Sequence, residues 1–144
     1  QNRLKLSILN EDKLRRILAR MLDESEFLSD YGIRSLSRYH LENPYYFHHE
    51  GQALKVGYVP GDSTSGMFGG NSNWRGPIWM PMNLLLIRAL LQYYTYYGDS
   101  FTVEYPTGSG KYLSLYEITE CISERIVSIF LKDESGRRPL YGAA

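Results

Sequence analysis

Cysteine is almost missing from this sequence. Cys121 is the only one among 144 residues, so no intrachain disulfide can form. A single thiol fits a reducing compartment, which favours a cytoplasmic reading, and Cys121 falls in a helical apolar pattern where a free thiol behaves as a small core residue. Net charge is missing too: 16 basic and 16 acidic side chains cancel, and no basic run departs from that balance. Neither nucleic acid nor an anionic membrane is therefore an expected partner. Long apolar runs are lacking. The longest, Met82 to Leu91, is broken by Asn83 and Arg88 and is too short and polar to span a bilayer. The first ten residues lack the apolar core and cleavage site of a signal peptide. The missing initiator Met reads as a piece of a longer chain. Histidine is scarce, with only His40, His48 and His49. Adjacent His48 and His49 on a strand point to opposite faces and cannot share one metal. No metal site and no cofactor are expected.

Aromatic residues are plentiful, at 14% of the chain, with 13 Tyr, 5 Phe and 2 Trp. Their faces suit sugar rings and their hydroxyls can bond sugar hydroxyls, although most Tyr are expected at helix contacts with a wet edge. The length fits one domain or part of a larger one. No internal repeat or low-complexity tract divides it.

Hydrophobic periodicity predicts three helices. Asn10 caps the first, Glu11 to Asp23, whose Leu14, Ile17, Leu18, Met21 and Leu22 make one stripe. The second starts near Pro77 or Pro81 and ends at Gly98 as a left-handed cap. Its interior, Asn83 to Tyr97, is apolar on nearly every face and should pack on more than one side. The third opens at a capping box, Ser114-Leu115-Tyr116-Glu117, and runs to about Lys132 with Leu115, Ile118, Ile122, Ile126 and Ile129 inward. Asp30-Tyr31-Gly32 reads as a turn. Tyr45-Phe47 and Leu54-Val56 read as a hairpin around Glu50-Gly51. Pro60 to Asn73, rich in Gly and Ser, reads as a functional loop. Pro106 to Lys111 (P-T-G-S-G-K) has the Gly-Lys pair of a phosphate loop, but lacks its earlier Gly and its following Ser or Thr.

The informative segment is Gly69 to Asn83, G-G-N-S-N-W-R-G-P-I-W-M-P-M-N. Gly76 permits a tight backbone and Pro77 stiffens it. Trp74, Trp79 and Arg75 at a helix entrance would suit a sugar: indoles stack on the ring, and a guanidinium bonds hydroxyls or a carboxylate. The same residues would equally serve as a stack locking the loop to the helix. Residue chemistry leaves both open.

This block, preceded by D-Y-G-I-R-S-L-S (Asp30 to Ser37), resembles glycoside hydrolase family 63, the processing α-glucosidases and their bacterial relatives. P-T-G-S-G-K and G-R-R-P-L-Y-G (Gly136 to Gly142) are most similar to the bacterial glucosidase-like members. The resemblance runs from about Ile17 to Gly142. It implies a mainly α fold, a partial (α/α)6 toroid with a short β-hairpin, in which residues 1–144 form part of one catalytic domain with no internal boundary. It implies α-glycosidic cleavage with inversion, by an acid and a base roughly 6.5–9.5 Å apart, with no metal. In the family both carboxyls lie on segments outside this chain. Asp30, Glu42, Glu50 and Asp62 match neither, although Asp62 lies nearest the motif. The implied substrate-binding residues are Trp74, Arg75, Trp79 and Asn73, with Tyr31 and Arg34 at the rim. The expected partners are an oligosaccharide and the rest of the catalytic domain. The isolated chain should be inactive, and its uncovered apolar helix faces should favour self-association. The rival reading is a non-catalytic carbohydrate-binding or structural helical module.

Overall fold

In the computed structural model the described residues are 7–59 and 76–141. The order is α1 (Glu11–Met21), β1 (Leu28–Ser29), β2 (Gly32–Ile33), β3 (Tyr45–His49), β4 (Gln52–Val56), α2 (Met80–Tyr97), β5 (Thr102–Glu104), β6 (Tyr112–Ser114) and α3 (Leu115–Ser128). Short 3-10 turns occur at Arg38–Leu41, Gly98–Ser100 and Pro139–Tyr141. The strands form three two-stranded antiparallel ribbons, β1–β2, β3–β4 and β5–β6. The expected mainly helical arc with one hairpin is thus corrected to a mixed organisation, three helices joined by small strand pairs.

The Asn10 side chain accepts the Lys13 N–H at 2.9 Å and starts α1. The helix stops at Met21, short of the expected Asp23. Asp23 turns the chain instead: its carboxylate accepts the Ser25 N–H and hydroxyl, and its carbonyl accepts the N–H groups of Glu26 and Leu28. Leu14, Leu18 and Leu22 are buried as the stripe predicts, but Ile17 is 48% exposed. Arg15 lies over the Phe101 ring at 4.1 Å and donates to the Thr102 carbonyl at 2.6 Å, tying α1 to β5.

α2 begins at Met80, with Trp79 in the cap position and Pro81 in the first turn. At its end Gly98 has φ 66° but ψ −158°, so the predicted left-handed cap is replaced by a positive-φ residue with extended ψ. Multi-sided packing of α2 is also not what the described residues show. Asn83 and Leu90 are buried toward α3 and β2, whereas Leu84 and Leu85 are 62% and 60% exposed.

The core joins α1, the β1–β2 turn, the β5–β6 ribbon and α3. All five residues predicted to face inward on α3 are buried: Leu115, Ile118, Ile122, Ile126 and Ile129. Burial also raises the pKa of the half-buried Cys121 thiol, which works against a nucleophilic thiolate. The β3–β4 hairpin has the predicted turn, with φ 49° at Glu50 and 78° at Gly51, the positive pair a type I′ turn requires. Its strands run two residues further on each side of the turn than predicted, and all of β3, with His48 and His49, is exposed.

Residues 105–111, read from sequence as a loop, close the tip of the unforeseen β5–β6 ribbon. Tyr105 N–H donates to the Lys111 carbonyl at 2.8 Å, and the Glu104 carboxylate accepts the Gly110 N–H at 2.7 Å. Thr107 then bonds the end of α1, its N–H to the Leu22 carbonyl and its hydroxyl to the Ala19 carbonyl.

The capping box of α3 forms as predicted. The Ser114 hydroxyl accepts the Glu117 N–H, and Glu117 Oε2 accepts the Ser114 N–H at 2.8 Å. α3 ends at Ser128, before the expected Lys132, because residues 129–131 tighten into turns of i→i−3 bonds. Ser114→Ala is expected to lower stability by about 1 kcal/mol in denaturant unfolding. The Ser114 backbone N–H, then its hydroxyl, hold the Glu117 carboxyl below its ordinary value of 4.5. Its stabilising contribution is therefore present above that value and is lost as pH falls through the lowered one. The melting-temperature gap between wild type and Glu117→Gln should be largest near neutrality and close in acid.

Candidate carbohydrate site at the entrance to the second helix

Two segments far apart in sequence meet at the start of α2. The Ile33 N–H donates to Asn83 Oδ1 at 2.8 Å, and Asn83 Nδ2 donates to the Ile33 carbonyl at 2.9 Å. The same Nδ2 donates to the Trp79 carbonyl at 3.0 Å. Asn83 is only 1% exposed, so its amide replaces water for both backbone groups of Ile33. Two residues on, the Ser35 N–H donates to the Pro77 carbonyl at 2.8 Å and its hydroxyl to the Gly76 carbonyl at 3.0 Å. Gly76 has φ 62°, in keeping with the tight backbone its sequence context predicts. Gly32, with φ 114°, leaves room for this approach. A Cβ there would lie 3.0 Å from both Asn83 Oδ1 and Ile126 Cγ1.

Beside this junction lies an open concavity of about 790 Å³ between α1, the 27–35 segment and the first two turns of α2. Arg34, Ser35, Asn83 and Trp79 are among the residues that line it. The rest of the lining is largely apolar, with Leu9, Ile17, Met21, Phe27, Ile33, Met82 and Leu86, and includes the cations Lys13, Arg16 and Arg20. No Asp or Glu is among the described residues lining it.

Trp79 is half-buried and lines the concavity. Arg34 lines it too, anchored by Nη1, which donates to the carbonyls of Glu24 at 3.0 Å, Glu26 at 3.1 Å and Leu28. Tyr31 sits instead on the β1–β2 turn, 39% exposed and outside this lining. Asn73, Trp74, Arg75 and Asp62 lie outside the described residues. Asp30 is on the same turn as Tyr31, 3.9 Å from Arg125. Glu42 and Glu50 are exposed. These three carboxylates are not gathered into one site. Among the described residues no cluster of His, Cys, Asp and Glu could hold a metal ion, and no helix is long and apolar enough to cross a membrane.

The segments brought together here, 32–35 and 76–83, are the two halves of the most distinctive sequence pattern, and residues 4–107 match the model of the glycosyl hydrolase family 63 C-terminal domain. This chain belongs to glycoside hydrolase family 63. It is 52% identical over 139 residues to the uncharacterized protein YMR196W of Saccharomyces cerevisiae, covering 96% of this chain and 13% of that protein. It is 36% identical over 92 residues to the mannosyl-oligosaccharide glucosidase of the same organism, covering 63% of this chain and 8% of that one. The chain thus spans only a small part of the curated relatives it matches. Both are yeast proteins, and the expected closer likeness to bacterial members is not among these findings. No solved structure matches the chain.

Asn83 and Ser35 are the site residues that sequence reasoning passed over. The signal for Asn83 was a lone amide inside an apolar helical run, a group that must find a partner when buried. Asn83→Leu should cost roughly 2–3 kcal/mol, because it strands the Ile33 N–H and carbonyl. Gly32→Ala should also destabilise, by strain at positive φ and by collision with the Asn83 amide. Both are measured by chemical unfolding. Asn83→Leu retaining wild-type stability would remove the junction from the account.

Proposed function

We propose that this chain is part of the catalytic domain of an inverting glycosidase that cleaves α-linked glucosides or related oligosaccharides, and that it supplies part of one wall of the sugar pocket. The observation carrying this reading is that Trp79 and Arg34, one from each half of the family pattern, line one open concavity. Trp74 and Trp79 would provide aromatic walls for the pyranose rings. Asn73 and Arg75 would orient hydroxyls or the catalytic carboxylates, with Arg34 in the lining of the concavity and Tyr31, on the β1–β2 turn, outside it. The acid that protonates the leaving oxygen and the base that activates water are assigned to segments outside these residues, held roughly 6.5–9.5 Å apart. In the longer protein this chain would form an arc of an (α/α)6 toroid; alone it would be inactive. The name of the glucosidase relative points to glucose on an oligosaccharide as the first substrate class to try.

The test is a screen of the complete protein against α-linked disaccharides, following the anomer released. An inverted product supports the reading. Glycan binding without turnover would support a non-catalytic module. Trp74→Ala in the complete protein should lower turnover by about tenfold or more, the scale of losing one stacking contact in the transition state, with little change in melting temperature. Normal kinetics with early melting would assign Trp74 a purely structural part.

A further inference from the structure

Trp79 stands where a helix usually begins with a small polar residue. It takes the cap position of α2 and makes no side-chain capping bond there. Ser, Thr, Asp and Asn are the favoured choices, and forgoing them weakens the first turn. A position filled against local preference is one where another requirement has won, and such departures gather at functional sites. The indole is half-buried and lines the concavity, where an aromatic face has a use that a capping side chain does not.

The backbone that carries this indole is held from one turn further along. The Trp79 carbonyl accepts two bonds from Asn83, one from its backbone N–H at 3.0 Å and one from Nδ2 at 3.0 Å. Nδ2 has two hydrogens, and the other goes to the Ile33 carbonyl at 2.9 Å. Oδ1 accepts the Ile33 N–H at 2.8 Å. Both amide hydrogens are therefore committed to backbone, and the residue is sealed from the cavity by its neighbours. Such a group does not reach a ligand. It acts by joining the two segments that do face the cavity, holding Trp79 on one side and Ile33, next to Arg34, on the other.

We propose that Asn83 is a positioning residue of the sugar site, acting through the indole of Trp79 rather than on the ligand. This rests on the carbohydrate reading given above. The amide fixes the backbone from which the indole projects, and with it the plane offered to a pyranose ring. Its loss leaves the Trp79 carbonyl with the ordinary helix bond alone and uncouples the first turn of α2 from residue 33. A displacement of about 1 Å in a substrate-positioning group lowers turnover by up to about a hundredfold, so a change of this size at Trp79 is read in kinetics even where the fold survives it.

Steady-state kinetics of the complete protein on an α-linked glucose disaccharide test it, with Asn83→Asp as the variant. Aspartate keeps the size of the side chain and an acceptor for the Ile33 N–H, but gives up the amide donors. Trp79→Ala supplies the signature of losing the platform, a fall in kcat/KM of about tenfold divided between kcat and KM in its own proportion. Asn83→Asp should lower kcat/KM by about tenfold with the same division. Added to Trp79→Ala, it should cost less than about a further twofold, because the group it positions is already gone. Circular dichroism at the assay temperature establishes the folded fraction. If Asn83→Asp unfolds the protein, Asn83→Ser replaces it, with a smaller expected loss, since its hydroxyl can still bond the carbonyl four residues back. A lower melting temperature with unchanged kcat and KM would overturn the proposal and leave the carbohydrate reading standing. Losses that multiply in the double variant would overturn it too, since Asn83 would then act by a route other than Trp79. A wild type without turnover, or one indifferent to Trp79→Ala, would remove the sugar platform itself and this inference with it.

Discussion

One buried amide organises this chain. Asn83 gives a donor and an acceptor to the backbone of Ile33, and a second donor bond to the carbonyl of Trp79. A strand would normally satisfy the N–H and carbonyl of Ile33, but β2 is only two residues long and pairs only with β1 among the described residues. The side chain acts as a fragment of a missing strand. Because its own bond to Trp79 also shapes the first turn of α2, the backbone at 33 and the direction of the helix are fixed by the same group. The requirement reaches into α3: Gly32 must remain bare because Ile126 occupies the space beside the amide.

That arrangement decides what the concavity can present. Arg34 follows Ile33 directly, and its guanidinium is held by the carbonyls of the 24–28 turn. Such a cation is costly to move, because its release would leave several backbone acceptors unpaired. Trp79 precedes the first turn of α2 and has that turn's orientation imposed on it. An arginine and an indole pre-set in this way would lose little freedom to a ligand of the kind proposed above. The family pattern reads in these terms as two strands of text that need each other: the glycine, isoleucine and arginine of one half are placed by the asparagine of the other.

Elements with strong local causes were legible in the sequence. The Asn10 cap, the capping box at Ser114, the positive-φ pair at Glu50-Gly51 and the inward stripe of α3 each follow from residues within a few positions, and the structure has all of them. Less legible were features set at a distance. The β5–β6 ribbon was hidden because its strands are three residues long and its connection has the composition of an open loop. The end of α1 was misplaced because the Asp23 turn competes with the helix. The exposure of Ile17, Leu84 and Leu85 could not be read from periodicity, which tells an apolar face from a polar one but not whether anything covers it. The family pattern singled out Trp79 and Arg34, which line the concavity, while the amide joining its halves looked like a flaw in an apolar helix.

The tip of the β5–β6 ribbon looks from its composition like the most replaceable part of the chain. Two bonds from Thr107 to the last turn of α1 make it the reverse. Residues 105–111 span a fixed gap, closed at its base by Tyr105 and Lys111 and pinned at its crown to carbonyls that α1 cannot satisfy itself. One residue added or removed would move the threonine off its acceptors and fray a helix more than 80 positions upstream. The segment works as a measured strut whose length matters more than its lettering, so length variation is tolerated here far less than its glycines and serines would suggest.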